Sequence, residues 1–185
     1  MANHELLEDL LALAEPQRLA ALRQLSKVQQ LELATHWRLW ARRDQLPPAG
    51  DWRLWLVLAG RGFGKTRAGA EWVRALADAN PQARIALVGA SLGEVRSVMI
   101  EGESGVLAIC PPDRCPVFEP SLKRLTWPNG AQATLYSALE PESLRGPQHS
   151  HACRTGAEGN LRQRGCRANR RTAARRGGKR TCCAT

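Results

Sequence analysis

The sequence predicts an α/β fold with a partial parallel sheet, helices before it and a disordered basic tail after it. Three observations predict this fold. An apolar run over residues 55–59 is followed by a glycine-rich turn and a helical pattern from Thr66 to Leu76. A second apolar run, over residues 84–90, then completes one strand, helix, strand unit. After residue 149 the large apolar residues almost disappear, and Leu161 is the only large aliphatic residue that remains.

The N-terminal region, residues 1–43, shows helical periodicity. Leucines and one valine recur at helical spacing along it: Leu6, Leu7, Leu10, Leu11, Leu13, Leu22, Leu25, Val28, Leu31 and Leu33. Pro16 is predicted to divide the region into two helices. These helices either pack on the following domain or bind a partner. Two prolines and a glycine over residues 47–50 then indicate a domain boundary, so we expect the α/β domain to span residues 44–149.

The turn between the first strand and the helix has the composition of a phosphate-binding loop. Its residues are Gly60, Arg61, Gly62, Phe63, Gly64, Lys65 and Thr66. Glycines let successive N–H groups point at a polyphosphate, and the helix adds its positive N-terminal end. Lys65 is predicted to contact the β- and γ-phosphates and the Thr66 hydroxyl to bind Mg²⁺. The pattern departs from G-x-x-x-x-G-K-[ST] only at Ala59.

Gln45 is a candidate for recognising a base. It lies shortly before the first strand, and its amide both donates and accepts, as the edge of adenine requires. An ordinary linker glutamine remains the alternative.

The later part of the domain contains a second helical stretch and a hairpin. The stretch covers residues 92–109 and carries Glu94, Glu101 and Glu103, which are interpreted as a solvated face in preference to a paired-carboxylate site. Residues 125–136 are predicted to form a hairpin with a type I′ turn at Asn129-Gly130.

The charge of the chain is concentrated in its last 36 residues. Residues 1–149 hold 17 Lys and Arg against 16 Asp and Glu, whereas residues 150–185 hold 10 against one. Such a segment is predicted to be disordered. The cysteines lack metal-site spacing, and Cys110 and Cys115 are interpreted as unpaired thiols. No apolar run of about 18 residues and no signal pattern are present, so we expect a cytoplasmic protein without a membrane contact.

The phosphate-binding segment, residues 60–72, closely resembles the large subunit of tailed-phage and gene-transfer-agent terminases. Four further segments are similar to that family: residues 45–52, 101–105, 125–130 and 140–149. The resemblance covers residues 35–149. It implies an ASCE-type P-loop ATPase that uses ATP and Mg²⁺ to package double-stranded DNA into procapsids. It also implies a terminase small subunit, a portal protein and a homo-oligomeric ring as partners, in a bacterial cell that carries a phage or prophage.

The resemblance also implies roles for single residues. Lys65 and Arg61 would be the catalytic residues, with Arg61 matching the arginine that the family holds inside its loop. Thr66 would hold Mg²⁺. Arg145 would either couple nucleotide state to movement or be a solvated loop arginine.

The chain departs from the family after residue 149. The family continues into an apolar strand that ends in Asp-Glu, where this chain has Ser150 to Gly156 without a carboxylate. We therefore expect an N-terminal fragment, truncated before the nuclease domain and without turnover of its own. The composition change predicts an out-of-frame tail, and a sheet without its centre predicts marginal stability. The alternatives are a basic, non-specific nucleic-acid-binding protein or another P-loop NTPase such as a helicase.

Overall fold

The structure, a computed structural model, describes residues 12–155 and 180–184. The chain divides into two compact units, one that ends at Trp40 and one that begins at Ala41. The leucines predicted at the start of the helical stripe lie outside the described residues: Leu6, Leu7, Leu10 and Leu11. Residues 156–179 of the predicted tail lie outside them as well.

The described part of the first unit contains the helices Glu15–Gln24, Lys27–Thr35 and Trp37–Trp40. Pro16 lies in the first turn of the first of these, where its missing N–H removes no helical hydrogen bond. The next break is at Ser26, whose Oγ accepts from the Gln29 N–H at 3.3 Å while Gln29 Oε1 accepts from the Ser26 N–H at 2.9 Å. This reciprocal cap begins a helix that the proline alone did not predict.

The second unit is built on one sheet that has seven strands in the part of the chain that is described. Their bounds are β1 Leu54–Val57, β2 Arg84–Gly89, β3 Val117–Glu119, β4 Arg124–Thr126, β5 Gln132–Ser137, β6 His151–Thr155 and β7 Arg180–Ala184. The strand order is β1-β7-β6-β2-β5-β4-β3. The first five strands in this order are parallel, and β4 and β3 add an antiparallel edge. The predicted α/β fold is confirmed.

The helix that follows β1 runs from Lys65 to Ala79 and buries one face against the sheet. Val73 and Ala77 on that face are completely buried. The helix lies so close to β6 that a side chain at Gly69 would place its Cβ 3.2 Å from Cys153 Sγ. Small residues on this face therefore let the helix approach the sheet.

The segment predicted as one helix over residues 92–109 is interrupted. Short α-helices cover Leu92–Glu94 and Val106–Ile109, with a π-helix at Val95–Ile100 between them. Gly102 and Gly105 lie in the tight turn that follows the π-helix. Glycine weakens a helix through backbone entropy, and periodicity alone does not report this cost.

The hairpin between β4 and β5 is confirmed, but its predicted type I′ turn is wrong. A type I′ turn needs positive φ at both central residues, and of Asn129 and Gly130 only Gly130 has it, at 97°. The turn instead closes from the Gly130 N–H to the Trp127 carbonyl at 2.9 Å, with Pro128 as its second residue. Asn129 is used differently, since its side chain donates to the Ala77 carbonyl at 2.7 Å.

The prediction of a sheet without its centre is corrected by β6 and β7, which both come from the segment 150–185. β7 pairs with β1 on one side and with β6 on the other, and β6 pairs with β2. Cys153 of β6 and Cys182 of β7 are directly opposite each other and are buried. A central strand needs hydrogen bonds for its backbone groups on both sides and side chains that can be buried against the sheet. Cysteine is small and apolar enough to be buried in this way.

Candidate nucleotide-binding site

The loop between β1 and the helix Lys65–Ala79 has the backbone shape that its glycines predict. Gly62 and Gly64 adopt left-handed conformations, with φ of 77° and 83°, and Gly64 is the residue that caps the helix. A side chain at Gly62 would meet nothing within 4 Å, so this part of the loop is open. The Gly64 position has no such room, because a Cβ there would lie 2.7 Å from Gln45 Nε2. The loop therefore needs glycine at 64 for both conformation and space.

The Lys65 side chain is held by the loop itself. Its ammonium group donates to the carbonyls of Ala59, at 2.5 Å, and Gly60, at 3.0 Å. A positive charge thus lies where the loop backbone begins. Lys65 must exchange these carbonyls for an anion if it is to bind a phosphate group.

Gln45 contacts the loop through the backbone of Phe63. It is buried, its Nε2 donates to the Phe63 carbonyl at 2.6 Å, and its Oε1 accepts from the Arg42 N–H at 2.9 Å. The Arg42 guanidinium also donates to the Phe63 carbonyl, at 2.5 Å, and lies over the Phe63 ring at 4.9 Å. Sequence reasoning missed Arg42, because an arginine in a linker has no distinguishing pattern. The adenine contact of Gln45 stays a prediction.

Gln45→Ala should lower the free energy of unfolding of the second unit by about 1–3 kcal/mol, because it removes a buried group with two hydrogen bonds. Gln82→Ala is the matched control, since Gln82 is exposed and a surface change of this kind costs within about 0.5 kcal/mol. Chemical denaturation of the intact chain measures both. Equal midpoints for the two variants would mean that Gln45 does not support the loop.

A cleft of about 410 Å³ opens in front of the loop. One wall is formed by residues 62–66, which include Lys65 and Thr66. The facing wall comes from the interrupted helical segment, through Ser97, Val98, Gly102, Glu103 and Ser104. Glu103 is exposed, as the predicted solvated face requires, and it also lines the cleft. The glycines on either side of residues 103–104 were the available signal for a turn there.

The cysteines and acids form no metal site in the described residues, where no group of three or more His, Cys, Asp or Glu side chains could hold a metal ion. Cys110 and Cys115 are free thiols, as predicted. Burial, followed by the nearby Cys115, raises the pKa of Cys110 to about 12. Cys110 is therefore a neutral, unreactive thiol near pH 7.

The segment that contains the loop and the cleft matches a known family. The model of "Terminase large subunit, T4likevirus-type, N-terminal" matches residues 56–153. The chain belongs to this terminase family. Among solved structures it is similar to the large terminase ATPase domain of Thermus phage P74-26, with 15% sequence identity and a TM-score of 0.43. The match covers 67% of this chain and 51% of that one, so the chain spans about half of that domain's structure. No curated protein matches this chain.

In this terminase chain, β6 follows residue 149, where the family resemblance predicts a strand that ends in Asp-Glu. Its last residues are Cys153, Arg154 and Thr155, and none of them is a carboxylate. Thr155 and Cys153 line a small cavity together with Lys65 and Thr66, so the end of β6 does reach the loop. Thr155 Oγ1 is buried there without a hydrogen-bond partner in the described part of the chain. β6 therefore reaches the loop without a carboxylate among its last three residues.

The two arginine candidates of the terminase chain differ in their surroundings. Arg61 is exposed in the loop. Arg145 lies outside the cleft lining and forms an exposed ion pair with Glu142, at 2.8 Å. The structure therefore brings Arg61, Lys65, Thr66 and Gln45 into one loop region and gives Arg145 a separate, local partner. In the described part of the chain, every helix is too short or too polar to cross a membrane.

Proposed function

We propose that this chain binds Mg·ATP at residues 60–66 as the ATPase-motor part of a terminase large subunit. The observation that carries the proposal is the left-handed backbone at Gly62 and Gly64 directly before the helix that starts at Lys65. This geometry supports an anion site, because the first N–H groups of a helix have no partner inside the helix. The family membership makes a nucleotide phosphate the expected anion.

The residues present fit the phosphate groups of ATP. The open position at Gly62 leaves room for a ligand, and Lys65 needs only to leave the Ala59 and Gly60 carbonyls to reach it. Arg61, exposed in the same loop, is proposed to stabilise charge that develops on the γ-phosphate. Gln45 is proposed to keep the loop in this shape and, if its amide is released, to contact adenine.

The residues fit Mg²⁺ in part. Thr66 lines the cleft, and its hydroxyl can serve as a magnesium ligand. β6 ends in Arg154 and Thr155 and supplies no carboxylate, either to hold the water shell of the metal or to act as a base for the attacking water. Magnesium bound with ATP would neutralise phosphate charge during transfer. We propose that the chain binds Mg·ATP but does not hydrolyse it by itself.

The finer assignments follow from the terminase family and remain part of the proposal. They are packaging of double-stranded DNA into procapsids, a small-subunit and a portal partner, and a ring of large subunits, in a phage, a prophage or a gene transfer agent. A domain boundary near residue 43 and an out-of-frame origin of residues 150–185 are proposed in the same sense.

A second candidate function, non-specific binding of nucleic acid, is favoured by the charge of residues 150–185, which hold 10 Lys and Arg against one Glu. Such binding releases counterions and weakens steeply with salt. It should not depend on Lys65, which separates it from the nucleotide site.

Lys65→Ala should weaken Mg·ATP binding by about 10- to 100-fold, because it removes a charge-assisted contact to phosphate. The measurement is a calorimetric titration of the intact chain at fixed Mg²⁺. Lys27→Ala, an exposed change in the first unit, is the matched control and should bind as the unchanged chain does. Equal affinity of all three chains, or no binding by the unchanged chain, would contradict the proposal.

A further inference from the structure

We propose that Glu103 supplies the carboxylate for the magnesium ion of bound Mg·ATP, through the water shell of the metal. This inference rests on the proposed function. Its starting point is the cleft, which Glu103 lines together with residues 62–66. Glu103 carries the one carboxylate on the described walls of that cleft.

The turn that carries Glu103 is closely packed. A Cβ at Gly102 would lie 2.8 Å from the Ser97 carbonyl oxygen, and one at Gly105 would lie 2.5 Å from that of Ile100. The Gly105 N–H also donates to the Gly102 carbonyl at 2.7 Å. The backbone on both sides of Glu103 is therefore fixed against the end of the π-helix Val95–Ile100. π-Helices occur frequently at functional sites.

Glu103 differs from its acidic neighbour in its partners. Glu101 pairs with Arg96 at 2.9 Å, whereas no cation pairs with Glu103 in the part of the chain that the structure describes. Its side chain is exposed to the cleft and carries a free negative charge. A polyphosphate bound at residues 62–66 would be repelled by this charge unless a cation lay between them.

The oxygen-bearing side chains of Thr66 and Glu103 are of the kind that magnesium binds. Magnesium binds oxygen atoms in octahedral geometry, keeps several waters and is held in proteins by one or two carboxylates together with phosphate oxygens. Both Thr66, which carries a hydroxyl, and Glu103, which carries a carboxylate, line the cleft. Because β6 ends in Arg154 and Thr155, it offers no carboxylate that would compete for this role. Glu103 would hold the metal through water and would not act as the base.

Glu103→Gln should change the response of ATP binding to Mg²⁺. In the unchanged chain we expect Mg²⁺ to strengthen ATP binding by about tenfold, as a charge-assisted contact would, and in Glu103→Gln by less than about threefold. Without Mg²⁺, Glu103→Gln should bind ATP at least as tightly as the unchanged chain, because a repulsive charge has been removed. A merely structural role would weaken binding in both conditions.

Glu101→Gln is the matched control, since it removes an equal charge two residues away that is already paired and lies outside the cleft lining. Its Mg²⁺ response should equal that of the unchanged chain. If Mg²⁺ strengthened ATP binding tenfold in Glu103→Gln as well, this inference would be overturned, but the proposed function would stand. Absence of Lys65-dependent ATP binding in the unchanged chain would overturn the proposed function and this inference with it.

Discussion

Removal of the last six residues, 180–185, should unfold the sheet of the second unit. β7 is the strand partner of β1 and also pairs with β6, so its loss leaves backbone groups unpaired on both strands. The cost of several such groups approaches the whole stability of a domain, about 5–15 kcal/mol. Thermal denaturation of the shortened chain should therefore show no cooperative transition for this unit.

Cys153 supplies a second and more local measurement of the same change. It is buried in the intact chain opposite Cys182 of β7. In the chain that ends at residue 179, its thiol should be labelled rapidly, as mass spectrometry of the labelled peptides would show. The control keeps residues 180–185 and replaces Arg175 and Arg176 by glutamine, which lowers the charge without removing β7. An unchanged transition and a protected Cys153 in the shortened chain would contradict the role of β7.

Glu71→Ala should destabilise the helix Lys65–Ala79 and with it the phosphate-binding loop. The Glu71 side chain is almost fully buried and contacts Arg67 and Arg74, each at 2.8 Å. Removing one member of a buried ion pair leaves an uncompensated charge, which costs about 3 kcal/mol here, at the low end of the usual range. We expect the low end of the range because Arg74 still forms its ion pair with Asp78, at 3.5 Å, after Glu71 is removed. We expect a fall of about 6–12 °C in Tm.

The matched control for this change is Glu142→Ala. Glu142 and Arg145 are also 2.8 Å apart, but their side chains are 71% and 80% exposed. A solvated pair contributes about 0–1 kcal/mol, so this variant should melt close to the unchanged chain. Equal losses of Tm in Glu71→Ala and Glu142→Ala would mean that the burial of Glu71 adds nothing to its contribution.

The loop and its flanking elements could be predicted because local sequence determines them. Glycines at 60, 62 and 64 between an apolar run and a helical pattern restrict the backbone to few solutions, and the observed helix begins at Lys65, one residue before the predicted start. The same reasoning placed β2 and the hairpin of β4 and β5. In each case the deciding residues lie within about ten positions of one another.

The rest depended on contacts between distant residues. The pairing of β7 with β1 joins positions more than 120 residues apart, and a sequence pattern poor in large aliphatic residues gave no reason to expect it. Two other features also join residues that are distant in the sequence. They are the hydrogen bond from Gln45 to Phe63 and the cleft that Glu103 and Thr66 both line. A prediction from composition underestimates how much small buried residues such as Cys153 and Cys182 contribute to the sheet. Their contribution comes from close packing and from the pairing of their backbone groups.

The most direct measurement is ATP hydrolysis followed in the same samples as the Mg·ATP titration, with the intact chain beside Lys65→Ala. We expect the intact chain to bind ATP through Lys65 and to return it unhydrolysed, since β6 ends in Arg154 and Thr155, without a carboxylate. Binding that does not depend on Lys65 would contradict the phosphate-binding role of the loop. Hydrolysis that Lys65→Ala abolishes would contradict the requirement for a carboxylate on β6.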